Sequence, residues 1–178
     1  MNLPNRLTLI RVLLIPVMVV FLMLPGSGWL WAACAVFCAA AYTDYLDGHI
    51  ARRDQLVTDF GRFLDPVADK LLVLSAMVML VGRGLLPALV PTVVLCREIA
   101  VDGLRMVAAG KQTVIAAGKL GKIKTVSQMV LVIWLMVFQT PAMSSWLSGL
   151  ITIWVAVITL WSGAEYFINN LHILKSDS

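Results

Sequence analysis

Residues 29–69 read WLWAACAVFCAAAYTDYLDGHIARRDQLVTDFGRFLDPVAD. An apolar run, 29–42, leads without a break to Asp44 and Asp47, and a second pair, Asp65 and Asp69, stands at the head of the next apolar run, 67–81. Neither run reaches the ~20 residues that cross a bilayer, so each helix is expected to continue through its charged neighbour. Carboxylates at the edge of hydrocarbon are expensive, and they sit there because they bind or react with something. Four of them at helical spacing imply a cation site.

The rest of the chain has the same character. It is 60% hydrophobic and 13% charged over 178 residues, with a mean hydropathy of +0.89, far more apolar than a soluble domain. Six apolar runs, 7–24, 29–42, 67–81, 85–96, 126–138 and 146–161, predict an all-α polytopic membrane protein, a bundle of six transmembrane helices. Turns at 25–28 and 140–145 carry no Lys or Arg, and the turn at 82–84 carries only Arg83. The opposite side carries Arg6, Arg11, Arg52, Arg53, Arg62, Arg105, Lys111, Lys119, Lys122, Lys124 and Lys175. By the positive-inside rule, both termini and the acidic segment, and with it the active site, face the cytoplasm. The net charge of +4 then suits anionic lipid headgroups or phosphorylated substrates. It is no nucleic-acid signature, because the cations are spread over loops between spans.

Arg6 and Arg11 ahead of an apolar stretch resemble a signal peptide. However, Pro25-Gly26-Ser27-Gly28 is a poor cleavage site, and removal would leave five spans. Trp29, Trp31 and Trp146, beside uncharged turns, are expected to anchor the membrane interface. Cys34, Cys38 and Cys96 form no Cys-x-x-Cys pair and are expected to pack as small hydrophobes. With no linker, repeat or low-complexity tract, residues 1–178 read as a single membrane domain.

At 100° per residue, Asp47 lies about 60° around a helix from Asp44, Gly48 about 40° and Ala51 about 20°. All four share one face. Gly48 and Ala51 leave space beside the acids for a ligand or a second helix. If the next helix begins before Gly61, the same arithmetic puts Gly61 and Ala68 on the face of Asp65 and Asp69. Converging carboxylates repel and hold protons unless cations neutralise them, so the simplest occupants are one or two divalent metals. Oxygen ligands without His or Cys favour Mg²⁺ or Mn²⁺ over Zn²⁺. Two such ions can clamp a diphosphate, and Arg52 can add charge to a phosphate oxygen.

The complete pattern is Asp44-x-x-Asp47-Gly48-x-x-Ala51-Arg52, eight residues, then Gly61-x-x-x-Asp65-x-x-x-Asp69. It resembles, without a departure, the signature of the CDP-alcohol phosphatidyltransferases, membrane enzymes that displace CMP from a CDP-linked lipid with an alcohol. Pro4-Asn5 with Thr8 and Arg11, Arg97-Glu98 with Arg105, and Gly118-Lys119-x-Gly121-Lys122-x-Lys124-Thr125 with Gln128 are similar to the bacterial phosphatidylglycerophosphate synthase branch. The resemblance implies a six-helix bundle, a homodimer and a place in the bacterial inner (cytoplasmic) membrane. It implies Asp44, Asp47 and Asp65 as metal ligands, and Asp69 as the residue that joins metal contact to general-base duty. Gly48, Ala51, Arg52 and Gly61 would bind the CDP-lipid, with Asn5 and Thr8 near its phosphates. The implied reaction is attack by the 1-hydroxyl of sn-glycerol 3-phosphate on the β-phosphorus of CDP-diacylglycerol, giving phosphatidylglycerophosphate and CMP.

An acceptor that is itself a phosphate needs cations near the acids. Arg105, Lys122 and Lys124 are the candidates, with Arg97 and Lys119 behind them. Each has a plainer reading as a topology signal, Arg97 and Glu98 can instead form an ion-pair network between helices, and Asp102 and Glu165 are structural partners as readily as ligands. Asn5 can equally cap the first helix. The four Asp could pair with Arg52, Arg53, Arg62 or Lys70 at a polar helix interface. His49, at an unrestricted position, is exposed or packed rather than a ligand. Two rival functions stand: a relative whose acceptor is serine, an inositol phosphate or phosphatidylglycerol, and a cation transporter. Against the transporter, the acids lie near one end of their spans and no pair of broken hydrophobic repeats is evident.

Overall fold

The computed structural model describes the backbone of residues 3–54, 59–111, 113, 118–142 and 144–175, and the side chains of 8–43, 67–111, 113, 118–142 and 144–171. Among the described residues the regular structure is entirely helical: α1 (Leu3–Met23), α2 (Ser27–Asp54), α3 (Asp59–Gly82), α4 (Leu89–Gly110), α5 (Lys119–Phe138) and α6 (Trp146–Lys175). All of these outrun their apolar stretches at a charged end, α2 by the whole of its Asp-rich segment. Continuous helix keeps every backbone N–H and C=O paired where little water is available.

The chain divides into two compact units, Met1–Leu85 with Val132–Gln139, and Leu86–Leu131 with Thr140–Ser178. In the first, α1 packs on α2 and α3. Its buried stripe is Thr8, Arg11, Ile15, Met18 and Leu22, a helical period of three and four. Against it α2 buries Leu30, Ala33, Cys34, Phe37 and Ala40, and α3 buries Ala68, Leu72, Val73, Ala76, Met77 and Leu80. The alanines let helices approach closely where lipid gives no hydrophobic drive for association. Gly26, at φ +111°, turns the chain from α1 into α2, and Gly84, at φ +71°, turns it out of α3. Arg83 has a local task there: its Nε donates to the Leu22 carbonyl at 2.9 Å and its NH2 donates to the Leu24 carbonyl. A guanidinium at a helix C-terminus satisfies carbonyls that have no partner within the helix.

In the second unit α4 packs on α6, with Val101, Leu104 and Tyr166 in a shared core and Phe167 against it. Ser145, just before α6, accepts from the Ser148 N–H at 3.2 Å, a side-chain cap on the first turn. The outward faces of both units are apolar. Leu13, Val20 and Val78 in the first and Ile99, Val126, Trp161 and Ile168 in the second are more than half exposed. A surface of that kind needs lipid around it. Lys119–Phe138 and Trp146–Leu171 are each long and apolar enough to cross a membrane, and Thr8–Met23 and Ser27–Thr43 are apolar but shorter. The chain is a membrane protein.

Trp29, Trp31 and Trp146 are all exposed, and Trp29 also stacks on Phe21 with ring centroids 5.4 Å apart. Cys34 packs as expected, but Cys38 and Cys96 lie on exposed faces; all three are free thiols.

Candidate functional site

Helix α2 carries Asp44, Asp47, Gly48, Ala51 and Arg52 in its last turns, and α3 carries Gly61, Asp65 and Asp69 in its first. All eight belong to the first unit, in which α2 also meets α3. Asp69 is half-buried, and Ala68 beside it is fully buried. The side chains of Asp44, Asp47, Arg52 and Asp65, the surroundings of Gly48, Ala51 and Gly61, and the side chains of Asn5 and His49 lie outside the described residues, as do Arg53 and Arg62. On α1, Thr8 and Arg11 are both buried, one turn apart on the core-facing stripe. An arginine held in that position brings a full positive charge into the helical core, where charges are kept for pairing or function.

The donor chemistry of the acidic segment fits a hard divalent cation: carboxylates on two helices of one unit, and no thiol or imidazole within either acidic pair. The small residues at 48, 51 and 61 are what a diphosphate needs if it is to lie close to a helix backbone.

The second unit carries cations of its own. Glu98, Asp102 and Arg105 occupy one face of α4, two turns from end to end. Lys124 Nζ, from α5, donates to Glu98 Oε1, and Arg97 NH1 donates to that same oxygen at 3.3 Å. Lys124 is 5% exposed and Glu98 7%, so the pair is desolvated. The network between helices foreseen for Arg97 and Glu98 is therefore present, and it takes in Lys124. Arg105 Nε donates to the Tyr166 hydroxyl at 2.9 Å, with the guanidinium 5.5 Å from the ring centroid. Such a contact holds the cation over an aromatic face. Lys119 and Lys122 are exposed. Glu165 and Asp102 are half-buried, and the Glu165 carboxylate lies 4.0 Å from where a Cβ on Gly118 would sit.

Gln128, buried one turn beyond Lys124, donates through Nε2 to Thr159 Oγ1 at 3.3 Å, tying α5 to α6. One of two nearby glycines makes room for Arg97. A Cβ on Gly163 would meet Arg97 Cγ at 3.1 Å, and one on Gly121 would lie 3.8 Å from its NH2. Sequence reasoning passed over Tyr166, Thr159 and Gly163. Their signal was available only as a period: residues 155, 158, 159, 162, 163 and 166 form one helical stripe of α6.

Comparison with known proteins identifies the family. Residues 1–161 match the family model described as CDP-alcohol phosphatidyltransferase. A CDP-diacylglycerol–glycerol-3-phosphate 3-phosphatidyltransferase of Bacillus subtilis (strain 168) is 41% identical, covering 99% of this chain and 99% of its own. Proteins of the same name from Escherichia coli (strain K12) and Shigella flexneri serotype 5b (strain 8401) are each 42% identical, over 93% of this chain and 92% of theirs.

Proposed function

The chain belongs to the CDP-alcohol phosphatidyltransferase family, and from that premise we propose that it transfers the phosphatidyl group of CDP-diacylglycerol to sn-glycerol 3-phosphate, releasing CMP. The observation that carries the acceptor is the near full-length similarity to relatives named for glycerol 3-phosphate, at 41% and 42% identity. Residues 1–178 act in this reading as one membrane domain, a homodimer in the bacterial inner membrane with its termini and active site in the cytoplasm.

Members of this family are generally divalent-metal dependent. Asp44, Asp47, Asp65 and Asp69 are the residues that would hold Mg²⁺ or Mn²⁺, in one or two ions, and such a cation supplies charge that neutralises the diphosphate. Helical register supports a common site. The buried stripe of α2, at 30, 33, 34, 37 and 40, counted on at the same period reaches 44, 47, 48 and 51; that of α3, counted back from 76, 72 and 68, reaches 65 and 61.

Asp69 takes the proton from the acceptor 1-hydroxyl as its oxygen closes on the β-phosphorus and the bond to CMP breaks. Proximity matters more here than bulk basicity, because a base must first lie within hydrogen-bond reach of the proton it removes. Gly48, Ala51 and Gly61 let the diphosphate approach backbone, Arg52 pairs with a phosphate oxygen, and Asn5 and Thr8 border the nucleotide lipid. Lys122, Lys124 and Arg105 receive the acceptor phosphate. Two of these are already held in defined places, Lys124 by Glu98 and Arg105 by Tyr166.

The test is an acceptor panel. Purified protein is supplied with CDP-diacylglycerol, Mg²⁺ or Mn²⁺, and in turn glycerol 3-phosphate, inositol phosphate, serine or phosphatidylglycerol. The lipid product is then identified by mass spectrometry. Phosphatidylglycerophosphate is expected. A different lipid would change the acceptor while keeping the family chemistry, and cation flux without CMP release would point instead to a transporter.

A further inference from the structure

We infer that Glu98 is a positioning residue for the acceptor: by holding Lys124 and Arg97 it sets the affinity of the pocket for a phosphorylated alcohol without touching that alcohol. The inference rests on the reading of Lys124 as an acceptor-phosphate ligand. Both cations donate to one oxygen of Glu98, from α5 in the case of Lys124 and from the preceding residue in the case of Arg97. The stem of Arg97 lies close against Gly163, and its Nε is buried without a hydrogen-bond partner.

Lys124 and Glu98 meet in a desolvated place, and the buried Nε of Arg97 is a donor that a phosphate, which presents several oxygens to shared donors, can satisfy. Glu98 makes a poor direct ligand for an anion, because like charges repel. Its effect is on its neighbours. Without it, two cations held close in low dielectric repel each other, and the long stem of Lys124 lets the ammonium swing toward water. A purely structural ion pair would affect folding and both substrates alike. A positioning residue affects the acceptor alone.

The experiment uses the full chain, purified in detergent, with initial rates measured against varied glycerol 3-phosphate and, separately, varied CDP-diacylglycerol. Glu98→Gln is expected to raise the acceptor KM about tenfold, the scale of one lost charged hydrogen bond, with the CDP-diacylglycerol KM little changed. Glu98→Asp, which keeps the charge, restores part of the loss. The double variant Glu98→Gln/Lys124→Met is expected to lose less than the two single variants added together, since Glu98 acts in part through that lysine. An equal rise in both KM values, a fall in kcat with the acceptor KM unchanged, or additive effects in the double variant each overturn the proposal. If Glu98→Gln does not fold, Glu98→Asp and the double variant carry the comparison, and a wild-type acceptor KM in Glu98→Asp then counts against it. If the wild-type chain ignores glycerol 3-phosphate and uses another alcohol, the acceptor reading fails by itself. The same variants titrated with that alcohol still decide the role of Glu98.

Discussion

The two units solve opposite electrostatic problems. The first concentrates carboxylates at the junction of α2 and α3 in sequence, all within 26 residues, and spaces them with Gly and Ala. The second concentrates cations, and two of them are tied to partners distant in sequence, Lys124 to Glu98 and Arg105 to Tyr166. Acids that are to share a metal must be left open to it. Cations that are to meet a small soluble anion can be held beforehand by a carboxylate or a ring. The contrast teaches that the acidic motif is written in local spacing and the pairing of the cations in tertiary contacts.

The sharpest way to break this division is to remove the metal. Chelation with EDTA should stop CMP release from CDP-diacylglycerol, and added Mg²⁺ or Mn²⁺ should restore it; release that persists in excess chelator would leave the acidic segment without its proposed task. Next in size is Asp69→Asn, expected to lower kcat by about 10²–10⁴ while CDP-diacylglycerol still binds. Normal turnover in that variant would take the base role from Asp69. Gly48→Leu should raise the KM for CDP-diacylglycerol well above any change in the acceptor KM, because a branched side chain occupies the space reserved for the diphosphate. Unchanged affinity for the nucleotide lipid would show that Gly48 is not beside it. The smallest effect is expected away from both sites. Arg83→Ala removes the carbonyl partners of Leu22 and Leu24 and should cost about 1–3 kcal/mol of stability, read as a lower melting temperature in detergent with both KM values unaltered. A shift in either KM would tie that turn to the site.

Much of the fold was legible in the sequence because lipid leaves few options. Six apolar runs correspond to the six helices found among the described residues, and the expectation that helices run on into charged flanks holds for α2, where 28 residues reach Asp54. Arg83 was less legible. Its position beside an uncharged turn reads as an exception to charge asymmetry, whereas the structure gives it the end of α1 to cap. Lys119, Lys122 and Lys124 look alike in sequence, yet Lys124 is buried and paired while the other two are exposed. Helix rotation separates them: two positions turn a side chain by 200°, so neighbours in a basic run reach different surroundings.

By itself, the sequence determined the membrane class, the helical architecture and the family, because hydropathy, the period of the buried stripes and an eight-position motif are properties of short stretches of chain. Only the tertiary structure decided which cations are held and by what. Glu98 meets Lys124 across 26 positions and Arg105 meets Tyr166 across 61. The physical reason is that a buried charge such as Lys124 must find its counter-charge, and a cation such as Arg105 its aromatic partner, wherever helix packing brings one, and packing depends on faces of helices far apart in the chain.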